Sequence, residues 1–437
     1  MQATAILLAA GLGTRMRSRL PKAMHRLAGR PMLAHLIESC ESVFDRIVVV
    51  VGPGMEDLAA VAAPHAVVVQ EERLGTAHAA RQAAHLFGEG DVAVLYADNP
   101  LISTDTLRRL LEARRSGDTG LALLAMRPAE PGRYGRVIAR GGQVERIVEW
   151  ADATEAERAV DLCNAGVLCA PAAEFATWLG SVDNDNARGE FYLTDVVALA
   201  ALQGTAVRAV EAPEAELRGI NSRAELAAAE REIQARLRTA ALDGGATLVA
   251  PETVFLSWDT RLENDVVVHP NVVFGPGVLV RRGAEIRAFS HLEGCEVGED
   301  ALIGPYARLR PATTVGRAAH VGNFVELKAC ALGDGAKANH LSYLGDARIG
   351  AGTNIGAGTI TCNYDGVNKH QTRIGERVFV GSDTILVAPV TLGDGAMTAA
   401  GSTITGHVEA DALAFGRARQ VNKSGLAKAF RSRGKKG

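Results

Sequence analysis

Val297-Gly298-Glu299-Asp300-Ala301-Leu302-Ile303-Gly304-Pro305-Tyr306-Ala307-Arg308-Leu309 opens a run in which an aliphatic residue returns every six positions: Val297, Ile303, Leu309, Val315, Val321 and Leu327. The register resumes at Leu332, Ala338 and Leu344, again at Ile349, Ile355 and Thr361, and finally at Ile374, Val380, Leu386, Leu392, Thr398 and Ile404. No amphipathic helix has a six-residue period, and glycine and proline this frequent would break one. The pattern is that of a hexapeptide solenoid, whose stacked turns each bury one inward side chain per repeat.

Three features depart from a plain scaffold. Cys362–Arg373 interrupts the later register, and insertions in solenoids form loops, often on the binding face. If three hexapeptides close one coil, Arg310 and Lys328, eighteen positions apart, stack on one face, where two cations repel unless Glu326 or a bound phosphate offsets them. His340, in Ala338-Asn339-His340-Leu341-Ser342-Tyr343-Leu344-Gly345-Asp346, breaks a repeat otherwise built of small residues. A lone histidine is by itself ordinary, but an imidazole can also take up a proton near neutral pH.

Toward the amino terminus the grammar changes. Ser222-Arg223-Ala224-Glu225 reads as a capping box, followed by Leu226, Ile233, Leu237 and Ala241 at helical spacing until Gly244-Gly245. Residues 223–244 are therefore expected to be a linker helix of roughly 30 Å, a strut between a head at 1–222 and a β-helix at 245–420. In the head, Ala5–Ala9, Ile47–Val51, Val67–Gln70, Val92–Tyr96 and Leu121–Ala125 read as strands separated by amphipathic segments. That alternation predicts a mostly parallel sheet with helices on both faces and ligands beyond the strands' carboxyl ends.

Strand Ala5–Ala9 runs into Ala10-Gly11-Leu12-Gly13-Thr14-Arg15, a turn whose amides can approach phosphates, with Arg15 and Lys22 as cations. It lacks the third glycine of a dinucleotide fingerprint and the Gly-Lys-Ser/Thr of a Walker loop. Asp98 follows Val92–Tyr96 at a strand's end, where a hard divalent ion shared with phosphate oxygens prefers a carboxylate. Ser103 or Thr104 is better placed than Asp98 to cap the next helix.

The 437 residues suggest several domains, and the net charge of −3 offers no field for nucleic acid. Six cysteines without metal-like or paired spacing argue for reduced thiols and a cytoplasmic setting. The apolar start Ala3–Ala10 lacks the charged flank of a signal sequence, and no stretch approaches the length of a membrane span. Residues 421–437, rich in Lys, Arg and Gly toward the end, are expected to be a disordered basic tail.

Leu8-Ala9-Ala10-Gly11-x-Gly13-Thr14-Arg15-Met16 with Pro21-Lys22 resembles the signature of sugar-1-phosphate nucleotidylyltransferases. Across the whole chain the sequence resembles the family of bifunctional N-acetylglucosamine-1-phosphate uridyltransferases and glucosamine-1-phosphate acetyltransferases. The resemblance implies a Rossmann-like α/β nucleotidyltransferase domain followed by a left-handed parallel β-helix. It implies that Leu8, Ala9, Ala10, Gly11, Gln70, Gly75, Thr76, Tyr96 and Asp98 bind UTP, and that Arg15 and Lys22 neutralise phosphates. Asp98 and Asn221 would hold Mg²⁺, while Gly135, Glu149, Asn164 and Asn221 would meet the sugar phosphate.

In the β-helix, the resemblance makes His340 the base that deprotonates the sugar's 2-ammonium. Arg310, Lys328, Tyr343, Asn354 and Lys369 would bind glucosamine 1-phosphate, and Ala357, Asn363, Tyr364, Ser382, Ala400 and Arg417 acetyl-CoA. Sites shared between neighbouring subunits imply a homotrimer that works on small molecules, without nucleic acid or membrane. Ala97, Asn99, Trp150, Ala165, Ala312 and Cys330 depart from the expected pattern and should alter local contacts. The rival readings are a single-function pyrophosphorylase whose β-helix only regulates or assembles, and an assembly subunit with both sites decayed.

Overall fold

The computed structural model describes residues 2–433 and divides into two compact units, Met1–Arg236 and Leu237–Gly437. In the first, seven strands form the main path of a twisted sheet in the order Ala206–Glu211, Thr119–Met126, Cys163–Pro171, Asp91–Tyr96, Ala3–Leu8, Arg46–Val51, Ala66–Val69. Along Ala3–Leu8, Ala3, Ala5 and Leu7 enter one apolar cluster and Ile6 the other. Both faces are thus covered, which is why the strands read as near-continuous apolar runs. The pairing is parallel except at Cys163–Pro171, which runs antiparallel to both neighbours. The hairpin Arg136–Arg140/Gln143–Val148 pairs with that strand at its start.

The strand ends fall within two residues of the sequence expectation. Ser103 caps the helix Thr104–Arg115 by accepting a hydrogen bond from the Thr106 N–H, which frees Asp98 of any capping role.

The second unit is a left-handed parallel β-helix, in which strands of ten, eight and eight stack into three sheets. Strands pair with those one coil later: Leu309 faces Leu327, Val321 faces Ala338, and Val315 faces Leu332. Every inward position of the six-residue register is buried, Thr361 and Thr398 included. Each inward aliphatic contributes about 1.5–3 kcal/mol, and together they make one continuous core from Ala246 to Val408. The register begins earlier than Val297: Leu262, Val268, Phe274, Val280, Ile286 and Leu292 also stand six apart and face inward. A step of five between Leu292 and Val297 separates the two runs. The inserted loop is set outside the coil, since Ile349 pairs with Ile374 and Tyr364 bridges Lys369.

One helix, Arg223–Asp243, spans the division. Its first part carries buried Ala229 and Ile233, and Leu237 and Ala241 pack on the β-helix core. The expected capping box is only half formed. Ser222 Oγ accepts the Glu225 N–H, but the Glu225 carboxylate reaches the Asn221 N–H instead of the cap's own. At the far end the segment expected to be a basic tail carries a short, exposed helix over Leu426–Arg433, built from good helix formers such as Leu426, Ala427, Lys428 and Ala429. Residues 434–437 of that tail lie outside the described part.

Candidate active sites

A cavity of about 450 Å³ opens beyond the carboxyl ends of Ala3–Leu8 and Asp91–Tyr96. Leu8, Ala9, Ala10, Gly11, Lys22, Gln70, Gly75, Thr76, Tyr96, Asp98, Glu149 and Asn221 line it, at the end of an open α/β sheet where ligands bind. Gly75 has φ +123°, and a Cβ there would lie 2.4 Å from the Phe191 carbonyl oxygen, so only glycine lets segment 74–77 dock on Gly189–Asp195. Backbone bonds from Phe191 N–H to Leu74 and from Ala77 N–H to Phe191 close that junction, at 2.8 and 2.9 Å.

The polar centre is compact. Lys22 Nζ pairs with Asp98 Oδ2 and donates to Asn221 Oδ1 at 3.0 Å, and Arg15 Nη2 donates to the same oxygen at 2.8 Å. The Ile220 N–H bonds the Asp98 carbonyl at 2.8 Å, which brings Asn221 beside the carboxylate across a long stretch of chain. Asp98 Oδ1 is buried with no hydrogen-bond partner among the described residues. A buried carboxylate oxygen costs free energy unless something satisfies it, so this is a place built for a further cation or donor. Arg15 is exposed at the edge of the cavity and reaches it through Asn221.

Farther in, Glu149 accepts from the Thr194 hydroxyl at 3.2 Å, and burial raises its pKa. Burial, helped by the carboxylates of Asp183, Glu149 and Asp152, pushes Asp195 up to about 6. The folded state therefore favours protonated Asp195, and this contribution to stability is lost as pH rises through about 6. Asp195→Asn is expected to gain about 1 kcal/mol near pH 7.5 and nothing below about pH 4, after discounting for partial exposure and a favourable helix N-terminus. Urea unfolding at the two pH values checks this.

Asn164 and Gly135 stand beside this region without lining the cavity. Asn164 Oδ1 accepts the Gly166 N–H at 3.0 Å and braces an irregularity in its strand, while the Asn164 N–H bonds the Gly135 carbonyl at 2.9 Å.

In the β-helix, Arg310 sits one coil from Lys328, its N–H bonded to the Leu327 carbonyl. The guanidinium pairs with Glu326 at 2.9 Å, which offsets the repulsion between the two cations. Tyr343 stacks on Glu326 in the next coil. Around the corner His340 belongs to a straight column. The carbonyls of Asn323, His340, Ala357 and Ser382 accept from Leu341, Gly358, Asp383 and Gly401 in successive coils, and Ala400 follows Ser382 in the same series. The His340 side chain is exposed, as are Ser382, Ala400 and Arg417. Asn354 lies on the ten-stranded sheet with Lys337, on a different face from Arg310, Lys328 and Tyr343. In the inserted loop the Asn363 amide pairs with Asp346, and Tyr364 Oη donates to the Gly366 carbonyl at 2.6 Å. Backbone donors from Asn368 and Val367, with His370 between them in strength, hold Asp365 down to about 2 and fix the loop's shape around Lys369.

Residues 5–166 match the MobA-like NTP transferase domain family, and residues 371–406 match the bacterial transferase hexapeptide family of six repeats. The chain is 70% identical to the bifunctional protein GlmU of Gluconacetobacter diazotrophicus, covering 97% of this chain and 93% of that one. It belongs to the GlmU family. The GlmU proteins of Gluconobacter oxydans and Acidiphilium cryptum are 65% and 61% identical, over 97% and 99% of this chain and 95% and 99% of theirs.

The positions that depart from the expected GlmU pattern have structural roles. Trp150 holds the guanidiniums of Arg136 and Arg158 over its ring, at 5.1 and 4.7 Å. Asn99 is buried and bonds the Leu217 carbonyl at 2.6 Å, while Ala97 and Ala165 fill the core. Ala312 adopts φ 63° at a corner, where glycine would sit without strain. Cys330 is a core residue whose thiol burial pushes up to about 12, and all six cysteines are free. Sequence reasoning missed Arg73, Ala79 and Arg188 in the head cavity. Arg73 lies within the segment that carries Gln70 and Gly75, so adjacency was the available signal.

Proposed function

We infer that the head transfers a uridylyl group from UTP to N-acetylglucosamine 1-phosphate, and that the β-helix acetylates glucosamine 1-phosphate from acetyl-CoA to supply that substrate. The partnerless Asp98 Oδ1, on a carboxylate whose other oxygen shares Lys22 with Asn221 Oδ1, carries the reading of the head. Those oxygens fit Mg²⁺, a hard ion that takes one or two protein oxygens and completes its shell with phosphates and water. Among the described residues no cluster of three or more His, Cys, Asp or Glu could hold a metal alone, which accords with such a shared site. When bound, Mg²⁺ would polarise the α-phosphate and shield the charge of the leaving pyrophosphate. Lys22, now spent on Asp98 and Asn221, is free to turn to phosphate oxygens once that charge is met, and Arg15 stands beside it. The amides of Ala10 and Gly11 approach the nucleotide, and Glu149 faces the sugar.

In the β-helix, His340 removes a proton from the 2-ammonium. The amine attacks the thioester carbonyl, the new amide bond forms, and the C–S bond breaks to release CoA. The column Ala357, Ser382, Ala400 offers small residues along which an extended acyl donor can lie. Arg310, Lys328 and Tyr343 occupy one face and Asn354 another, so one small sugar phosphate reaching both sets is best served by a second copy of the chain. This supports a homotrimer with shared sites. No described helix is long and apolar enough to cross a membrane; a cytoplasmic setting is proposed from the unpaired thiols.

Two assays test the pair. Pyrophosphate release should require UTP and N-acetylglucosamine 1-phosphate, and thiol release should require acetyl-CoA and glucosamine 1-phosphate. A β-helix that only assembles would release no CoA.

A further inference from the structure

Arg73 joins three parts of the nucleotide cavity without belonging to the phosphate-binding set. Its Nε donates to the Ala10 carbonyl in the glycine turn at 2.8 Å. Its guanidinium lies over Gly52, just past the strand Arg46–Val51, so closely that a Cβ on Gly52 would sit 2.3 Å from Nη2 and 3.0 Å from Cζ. The Nη groups have no protein partner among the described residues, and the side chain lines the cavity. A guanidinium fixed at Nε and backed by a bare glycine presents its remaining N–H groups in a set direction.

The neighbouring Gln70 has spent its donors. Its Nε2 contacts the Gly75 carbonyl and His78 Nδ1, each at 3.1 Å, which leaves Oε1 as an acceptor. That end of the cavity thus offers one buried acceptor and a group that can only donate. We propose that Arg73 is the base-selecting residue of the head, donating to a carbonyl of the pyrimidine while holding the glycine turn in place. A 2,4-dioxopyrimidine presents an N–H flanked by two carbonyls and matches this set. An aminopyrimidine, with an amino group at C4 and an unprotonated N3, does not.

This inference rests on the reading of the head as a uridylyltransferase, and wild-type enzyme tests that first. If it releases no pyrophosphate from UTP and the sugar phosphate, the parent reading fails. Given that activity, kcat/KM for UTP and for CTP is compared in wild type, Arg73→Ala, Gly52→Ala and the double variant. Gly52 has no left-handed φ to protect, so the added methyl displaces only the tip of Arg73.

Arg73→Ala is expected to lower the UTP/CTP ratio about tenfold or more, with KM for the sugar phosphate within about twofold. Gly52→Ala should move the ratio in the same direction, and the double variant should fall no further than Arg73→Ala, since both changes remove one interaction. Thermal unfolding of each variant serves as the folding control. An unchanged ratio in both single variants overturns the proposal. So does a parallel rise in KM for UTP, CTP and sugar phosphate, the signature of a merely structural arginine.

Discussion

Asp98→Ala is expected to lower uridylyl transfer by about 10³-fold and to leave acetyl transfer within about twofold. The size follows from the geometry. Among the described residues Asp98 carries the one carboxylate in contact with Lys22, and its other oxygen is buried without a partner. Removing it takes away the proposed anchor for a shared cation and releases Lys22 from its carboxylate, so charge that develops on the phosphates meets a less ordered field. The cost to the fold should be small. The variant loses an ion pair but also relieves the desolvation of an unsatisfied oxygen, two effects of about 1–3 kcal/mol and opposite sign. Asp98→Asn refines the test, because it keeps the shape and removes the charge. If Asn retained more than about a tenth of the activity, hydrogen bonding rather than charge would be the function of this side chain. Pyrophosphate release and thermal unfolding, measured on the same preparations, separate the two effects.

The two halves were legible to different degrees for a physical reason. A β-helix coil must place one apolar residue inward at each face, so its period is imposed on the sequence, and Val297 to Leu327 declares the fold without any neighbour being known. Even there the earlier run from Leu262 to Leu292 went unread, although the five-residue step that parts it from Val297 is the same as those at Leu327–Leu332 and Leu344–Ile349. The head has no such period. Its strands showed because both faces of the sheet are buried, and Asp98 showed because it follows one of them. Its partners were not legible from the residues alone. Asn221 is brought to Asp98 by the Ile220–Asp98 backbone bond and by the shared Lys22, and the Glu225 that looked like half of a capping box instead fixes the Asn221 N–H. Such contacts join positions far apart in the chain, and neither propensity nor spacing encodes them. The same applies to Arg73, whose importance lies in a glycine that only the fold brings beneath it.

His340→Ala should be the mirror image of Asp98→Ala, with acetyl transfer lowered by about 10³-fold and uridylyl transfer unchanged within about twofold. Among the described residues nothing is hydrogen-bonded to the imidazole. The side chain is exposed, and the coil uses only the backbone of this residue, whose carbonyl accepts from Gly358 N–H at 3.4 Å and from the Ser342 hydroxyl at 2.9 Å. Stability should therefore move by no more than about 0.5 kcal/mol, the range of surface substitutions. A large loss of rate without loss of fold is what a general base predicts and what a structural histidine does not. His340→Gln distinguishes a base from a group that merely orients the amine, since glutamine hydrogen-bonds but does not accept a proton near neutral pH. Both variants should show residual rates that climb with pH, as solvent takes over the removal of the ammonium proton. If His340→Gln kept most of the wild-type rate, the proton would have to leave by another route. The column of small residues above His340 would then be only a path for the acyl donor.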